Sequence, residues 1–186
     1  YGKITLHDRN DSRSEPNSNT TEEPMKKTHI SLALILLSGV ATATAPTMVI
    51  ERVTETQNGK TTTEAFQAAT EVKPGDLLQR SVKLNITRPS QKATMTIPIP
   101  DQVNFVGGSA RVLLAGKEKA AEITYALNEK GPYSAAPMKT VTVQENGKSV
   151  TKEIKANPNE YRAIRFHLGK VSSGQQFVLV HRVTVK

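Results

Sequence analysis

The residues that could build a nucleophilic catalytic site are sparse in this chain. It contains no cysteine, and no serine stands in the Gly-x-Ser-x-Gly pattern of a nucleophile elbow. The stretch Gly107-Gly108-Ser109 leads into a predicted strand instead of a helix, so it does not fit a phosphate-binding loop. Nucleophilic catalysis needs a nucleophile, a base and a group that orients the base. We therefore predict that the protein is not an enzyme, with no catalytic residues and no cofactor.

Two histidines, His167 and His181, are the metal-ligating candidates in the second half of the chain. If the last two predicted strands pair with each other, the two rings could approach and form a weak metal site. Zinc sites use three or four protein ligands, and the glutamates fall at outward or loop positions. A simpler interpretation puts His167 on the surface beside Arg165, and His181 in the core with a backbone hydrogen-bond partner. We therefore predict no metal site.

Two arginines, Arg162 and Arg165, are the pair that we nominate for partner binding, as the basic end of a groove. The net charge is +8, but the basic residues are scattered, and the aromatic residues are only four Tyr and four Phe. Nucleic-acid binding requires a concentrated basic patch or an aromatic strip. The sequence predicts no nucleic-acid partner. It favours an envelope or surface protein or polymer, with mild attraction to acidic polymers.

The elements that would position these residues are β-strands. Apolar and polar residues alternate with a period of two through most of the chain, and no segment shows a convincing helical period. The pairs Asn58-Gly59 and Asn146-Gly147 each separate two alternating runs. Such a pair is a strong hairpin signal because both central residues of the turn take positive φ. The sequence therefore predicts two hairpins in an all-β fold.

The remaining strands predict how the sheets are arranged. In the run Ile97-Pro98-Ile99-Pro100 the prolines donate no ladder hydrogen bonds. This run must therefore lie in an edge strand or at the end of a strand. Two later strands place large apolar residues on one face: Ile164, Phe166 and Leu168 in the first, and Phe177, Leu179, Val183 and Val185 in the second. Many short strands predict a single-domain antiparallel β-sandwich. A closed barrel is the alternative, which the edge prolines disfavour.

A secretory signal peptide is predicted at residues 25–43. A basic start at Met25-Lys26-Lys27 precedes the apolar run 30–40 and the small residues Ala41-Thr42-Ala43. The apolar run is shorter than the ~20 residues needed to cross a bilayer. We predict cleavage between Ala43 and Thr44, and a cut after Ala45 is the alternative frame.

The chain divides into four predicted parts. Residues 1–24 are polar and precede the predicted signal peptide, so they are either translated upstream sequence or a disordered extension. The signal peptide follows at 25–43. An N-terminal strand and hairpin element occupies 44–70, and the β-sandwich domain occupies 71–186.

Three stretches resemble a known family: VKPGD at 72–76, IPIPDQVNFVGGS at 97–109 and YRAIRFHLGKVSSG at 161–174. They look like the conserved-repeat bacterial surface domain known as the domain of unknown function numbered eleven. The resemblance covers 71–186 and implies an immunoglobulin-like β-sandwich of exported and surface proteins. Family domains usually occur as repeats, whereas this chain has one copy.

These patterns together predict a non-catalytic exported module of the cell envelope or surface. Its expected role is interaction with a protein or polymer, or structural spacing, with no membrane span in the mature form. The alternative is a periplasmic accessory or chaperone-like protein that binds an extended client segment. The predicted location is the periplasm or the outside of the cell.

Overall fold

The computed structural model describes residues 44–55, 61–66 and 71–186. The predicted signal peptide, its terminal Ala43 and the Asn58-Gly59 turn lie outside the described residues. The described chain forms twelve strands and one 3₁₀ turn at Pro158–Glu160. The strands are β1 (Thr47–Glu55), β2 (Thr61–Ala65), β3 (Leu77–Asn85), β4 (Ser90–Pro98), β5 (Val103–Phe105), β6 (Arg111–Leu114), β7 (Lys117–Lys119), β8 (Glu122–Ala126), β9 (Met138–Glu145), β10 (Lys148–Lys155), β11 (Ala163–Val171) and β12 (Gln176–Val185). Within these ranges no helix has the length and apolar character needed to cross a membrane.

The strands form two sheets and a separate hairpin. The large sheet has the order β2-β1-β3-β12-β6-β7, and β5 also pairs with β12. The small sheet has the order β4-β11-β8, whereas β9 and β10 pair only with each other. Every strand pair is antiparallel. The predicted all-β, sandwich-like single domain is confirmed.

The core lies between the large and the small sheet. On β11 the alternating residues Ile164, Phe166 and Leu168 are buried, as their spacing predicts. On β12 the residues Phe177 and Leu179 are fully buried and belong to the same apolar cluster. Successive side chains of a strand point to opposite faces, so period-two apolar residues on both strands meet in one layer.

The turns follow the sequence signals where they are described. Asn146 and Gly147 have φ of 52° and 74°, as a two-residue hairpin turn between β9 and β10 requires. The first predicted hairpin also forms, since β1 pairs with β2, although its turn lies outside the described residues. β1 also pairs with β3, so this hairpin extends the large sheet.

The strand that carries the prolines lies at an edge of the small sheet. β4 pairs with β11 on one side only and ends at Pro98. This position agrees with the sequence prediction, because proline cannot donate a ladder hydrogen bond in a central strand. The carbonyl of Pro98 accepts a hydrogen bond from Nη1 of the buried Arg80 at 3.2 Å.

Two basic side chains face the core from adjacent central strands. His181 of β12 lies directly opposite Arg80 of β3, and both are buried. The core position of His181 was predicted correctly, but its backbone partner was not: neither ring nitrogen has a hydrogen-bond partner among the described residues. The reason is that strand backbone groups on both sides of His181 are used by the sheet ladders, so none points at the ring.

Burial decides the charge state of these two groups. It lowers the pKa of Arg80 to about 10, so the guanidinium stays charged at neutral pH. Burial, and then the charge of Arg80, hold the pKa of His181 well below its usual 6.5. The folded protein therefore contains a neutral His181 beside a charged Arg80.

We expect His181→Leu to stabilise the protein, because an apolar side chain removes two unpaired buried nitrogens. The expected gain in the free energy of unfolding is about 1 kcal/mol at pH 7. The wild type should also lose up to about 2 kcal/mol between pH 6.5 and 5, since only the unfolded chain protonates this ring there. Urea unfolding across this pH range measures both effects.

The matched control is His167→Gln, which changes the half-exposed histidine of the small sheet. It should retain the loss of stability at acidic pH. If His181→Leu retains the same acid dependence as the wild type, the buried neutral histidine is not its cause.

Candidate functional site

Three aromatic residues from distant parts of the chain meet at one end of the sandwich. Phe105 ends β5, Tyr125 lies near the end of β8, and Tyr161 follows the 3₁₀ turn. The ring centroids are 4.8 Å apart for Tyr125 and Tyr161, and 5.3 Å for Phe105 and Tyr125. Centroids at these separations are typical of favourable aromatic pairs. The group forms an aromatic surface where the two sheets end, in which Phe105 and Tyr161 are buried and Tyr125 is partly exposed.

This aromatic surface is part of a cavity that opens to solvent and has a volume of about 510 Å³. The turn Gly107-Gly108 forms one wall, and the chain from the base of β10 to the 3₁₀ turn forms another. The residues that line the cavity are Phe105, Gly107, Gly108, Tyr125, Ala135, Lys155, Ala156, Asn157, Pro158 and Tyr161. Ligand cavities commonly have volumes of about 300–1,000 Å³ and combine apolar walls with a few polar groups.

Gly107 allows the two walls to approach each other. A Cβ atom built on Gly107 would lie 2.8 Å from Cγ of Pro158. Such a contact is too short for two carbon atoms, so any larger residue at position 107 would push the turn away from the 3₁₀ turn. From the sequence, Gly107-Gly108 was considered only as a phosphate-binding loop, and this close approach to Pro158 was not predicted.

An ion pair joins the β9–β10 hairpin to the rim of the cavity. Nζ of Lys139, on β9, forms a salt bridge with Glu160 in the 3₁₀ turn. The same carboxylate accepts a hydrogen bond from the backbone N–H of Asn157 at 2.8 Å. The bond from Lys139, followed by that from Asn157, lowers the pKa of Glu160. The carboxylate thus stays charged and holds the hairpin base against the cavity.

The titratable groups of the cavity suit binding better than proton transfer. Burial raises the pKa of Tyr125, and the neighbouring Tyr161 raises it further. Burial and the adjacent Glu160 raise the pKa of Tyr161. Both phenols are therefore protonated at neutral pH and can act as hydrogen-bond donors. Lys155 is exposed at the rim and supplies a positive charge.

The two arginines nominated from the sequence have separate partners. Arg162 precedes β11, forms a salt bridge with Asp101 at 3.1 Å and donates to the carbonyl of Tyr161 at 3.0 Å. Arg165, inside β11, donates from Nε to Oγ1 of Thr96 at 3.2 Å and lies over the ring of Tyr133. Arg162 is thus adjacent in sequence to the cavity, whereas Arg165 lies in the middle strand of the small sheet. Their role in partner binding stays a prediction.

The two histidines do not come together in the way that a shared metal site would require. β11 and β12 belong to different sheets, so the pairing of the last two strands that such a site needs is absent. His167 lies 3.2 Å from Oγ1 of Thr124 on β8, while His181 lies in the core on the large sheet. Among the described residues, no three His, Cys, Asp or Glu side chains form a group that could hold a metal ion.

Sequence reasoning missed the aromatic cavity. Phe105, Tyr125 and Tyr161 are far apart in the chain, and alternation assigns each of them to a strand or a turn without relating them. The available signals were the Gly107-Gly108 pair and Pro158, which mark close turns. Their contact with each other depends on the packing of β5 against the 3₁₀ turn.

No family model, curated protein or solved structure matches this chain. The resemblance to the conserved-repeat surface domain therefore stays a prediction. The function must be inferred from the geometry of this chain itself.

We expect Gly107→Ala to destabilise the protein by about 1–3 kcal/mol, because the new methyl group would contact the ring of Pro158. The combination with Pro158→Ala removes the opposing ring atoms and should recover part of this loss. A double-mutant cycle of thermal or urea unfolding measures the coupling between the two sites. Additive effects would show that the two walls are not in contact.

Proposed function

We propose that this protein is a non-catalytic, exported module of the cell envelope or surface, and that it binds an anionic envelope polymer. The observation that carries the proposal is the open cavity formed by Phe105, Tyr125 and Tyr161 at the end of the sandwich. The partly exposed ring of Tyr125 can contact a ring of the polymer, and its protonated hydroxyl can donate to the polymer's oxygen atoms.

The shape and charge of the cavity support a polymer as the ligand. Because the cavity is open to solvent, a segment of a longer chain can enter it from outside. Lys155 at the rim and the net charge of +8 favour an acidic polymer. The predicted signal peptide at residues 25–43 supports a place in the envelope.

The alternative is an accessory or chaperone-like protein that binds an extended client segment. One observation favours it: β4 is an edge strand of the small sheet, with Arg165 on the neighbouring strand. Free backbone groups of an edge strand can accept an added strand from a partner. A stable complex with an extended peptide, but not with an acidic polymer, would support this alternative.

We expect Lys155→Glu to weaken the binding of a soluble acidic polysaccharide, polygalacturonate, by about fivefold or more. The reversed charge lies at the rim of the cavity and would repel the polymer there. The matched control is Lys148→Glu, at the other end of the same strand, which changes the net charge equally. Titration calorimetry at low salt, with uncharged dextran as a second probe, measures the affinities.

Equal losses for both variants would mean that net charge, and not the cavity, attracts the polymer. No binding of polygalacturonate by the wild type would contradict the polymer proposal. Neither of these binding results tests the export prediction, which has a separate experiment.

Expression from Met25 followed by cell fractionation tests the export prediction. We expect an intact mass that begins at Thr44, in the periplasm or the medium. The backbone N–H of Thr44 donates to the carbonyl of Asn85 at 3.1 Å, and a free α-amino group could make the same bond. An uncut mass in the membrane fraction would contradict the predicted cleavage.

A further inference from the structure

The β9–β10 hairpin belongs to neither sheet of the sandwich. Its two strands pair only with each other, and each has eight residues. Strands of this length extend roughly 27 Å. Isolated two-stranded hairpins are marginally stable, and each strand has an edge that no other described strand occupies. The hairpin therefore offers two edges to a partner.

The hydrogen-bonding pattern of β9 shows which backbone groups point outward. The turn Asn146-Gly147 makes Glu145 and Lys148 the closing pair. At the other end of the hairpin, the N–H of Ala156 donates to the carbonyl of Pro137 at 2.9 Å. Paired residues alternate between bonded and non-bonded positions along an antiparallel ladder. The N–H and C=O groups of the non-bonded positions Thr140, Thr142 and Gln144 therefore point away from β10.

The edge of β9 is less protected than the edges of β10, β4 and β7. β10 carries Lys148, Lys152 and Lys155, β4 ends in a proline, and β7 has only three residues. Lysine, proline and short length are the common protections of edge strands against pairing. β9 has one lysine, at its second position, and alternates Thr and Val in its centre. Such a sequence favours strand pairing.

We propose that β9 pairs with β9 of a second copy of this chain, antiparallel and centred on Thr142, to form a four-stranded sheet across a two-fold axis. In this register Thr142 faces Thr142 of the second copy, and Thr140 faces Gln144. These are the residues whose backbone groups point outward, so their N–H and C=O groups can form six hydrogen bonds between the copies. This inference is independent of polymer binding by the cavity.

The side chains of β9 complement themselves in this register. Val141 lies opposite Val143 of the second copy. Lys139 lies opposite Glu145, but each already has a salt-bridge partner in its own chain, Glu160 and Lys152. Apolar cross-strand pairs favour association, and the Val141–Val143 pair occurs twice because of the two-fold axis. The same operation applied to β10 and centred on Thr151 would place Lys152 against Val150 and Lys148 against Ile154, which are neither apolar pairs nor pairs of opposite charge. β10 therefore lacks the apolar self-complementarity of β9, which limits the assembly to two copies.

The size of the contact predicts a weak dimer. One strand pair buries much less than the ~1,600 Å² of a standard interface, and we expect a Kd on the order of 0.1 mM. Sedimentation equilibrium of the purified full-chain protein, up to about 1 mM, measures the association. A monomer at every concentration would overturn the proposal.

Proline substitutions distinguish the two edges of the hairpin. Thr142→Pro removes an outward N–H from β9 and no bond within the hairpin, and it should weaken the dimer at least about tenfold. Thr151→Pro is the matched control, because Thr151 lies opposite Thr142 and its N–H points outward from β10. It should leave the dimer intact. A dimer that survives Thr142→Pro would overturn the proposal.

Cysteine crosslinking tests the register without disturbing the ladder. The chain has no native cysteine, so a single Thr142→Cys variant reports only on this position. Directly opposed residues of a bonded pair have Cα atoms about 5.5 Å apart, within the range of a disulfide. Mild oxidation should link two copies of Thr142→Cys and not of Thr151→Cys. Preferential linking of Thr151→Cys would place β10 at the interface and overturn the proposal. This crosslinking result also decides the case in which both proline variants abolish the dimer.

Discussion

The apolar layer between the two sheets is the interaction on which the rest of the structure depends. No disulfide can support it, since the chain has no cysteine. The central strands β3 and β12 of the large sheet pack against β11 of the small sheet, and Phe166 and Phe177 are fully buried between them. Burial of apolar surface of this kind is the main favourable term in folding. Arg80 and His181 occupy the same layer at a cost, because burial disfavours a charged guanidinium and leaves the imidazole unpaired.

The same layer creates the candidate site, because a sandwich covers its core along the sheets but not at their ends. Where β5 and β8 end, the core residues are aromatic, and Phe105, Tyr125 and Tyr161 close the layer with broad rings. The Gly107-Gly108 turn and the 3₁₀ turn border these rings, of which Phe105 and Tyr161 are buried and Tyr125 is partly exposed. The site is therefore a partly exposed end of the core, and the same aromatic residues contribute to the stability of the fold and to the wall of the cavity.

The β9–β10 hairpin lies outside this layer and is joined to it locally. The Pro137–Ala156 hydrogen bond and the salt bridge from Lys139 to Glu160 fasten its base. Its strands have no neighbours in either sheet, so their edges and their valines are left for contacts with another molecule. The base of the hairpin borders the cavity, whereas its free edge extends away from it. One element can thus take part in two different interactions.

The sequence by itself determined the properties that depend on neighbouring residues. Alternation identified the strands and the buried face of β11, Asn146-Gly147 identified a hairpin turn, and Pro98 indicated an edge strand or the end of a strand. These signals are local, because the period of two and the φ preferences of a turn involve only a few consecutive residues. The tertiary structure alone decided which strands became neighbours. It placed β11 and β12 in different sheets, which separated the two histidines, and it brought three distant aromatic residues to one end of the sandwich. Local patterns indicate which side of a strand is buried. The order of the strands depends on long-range packing, which a short sequence pattern does not determine.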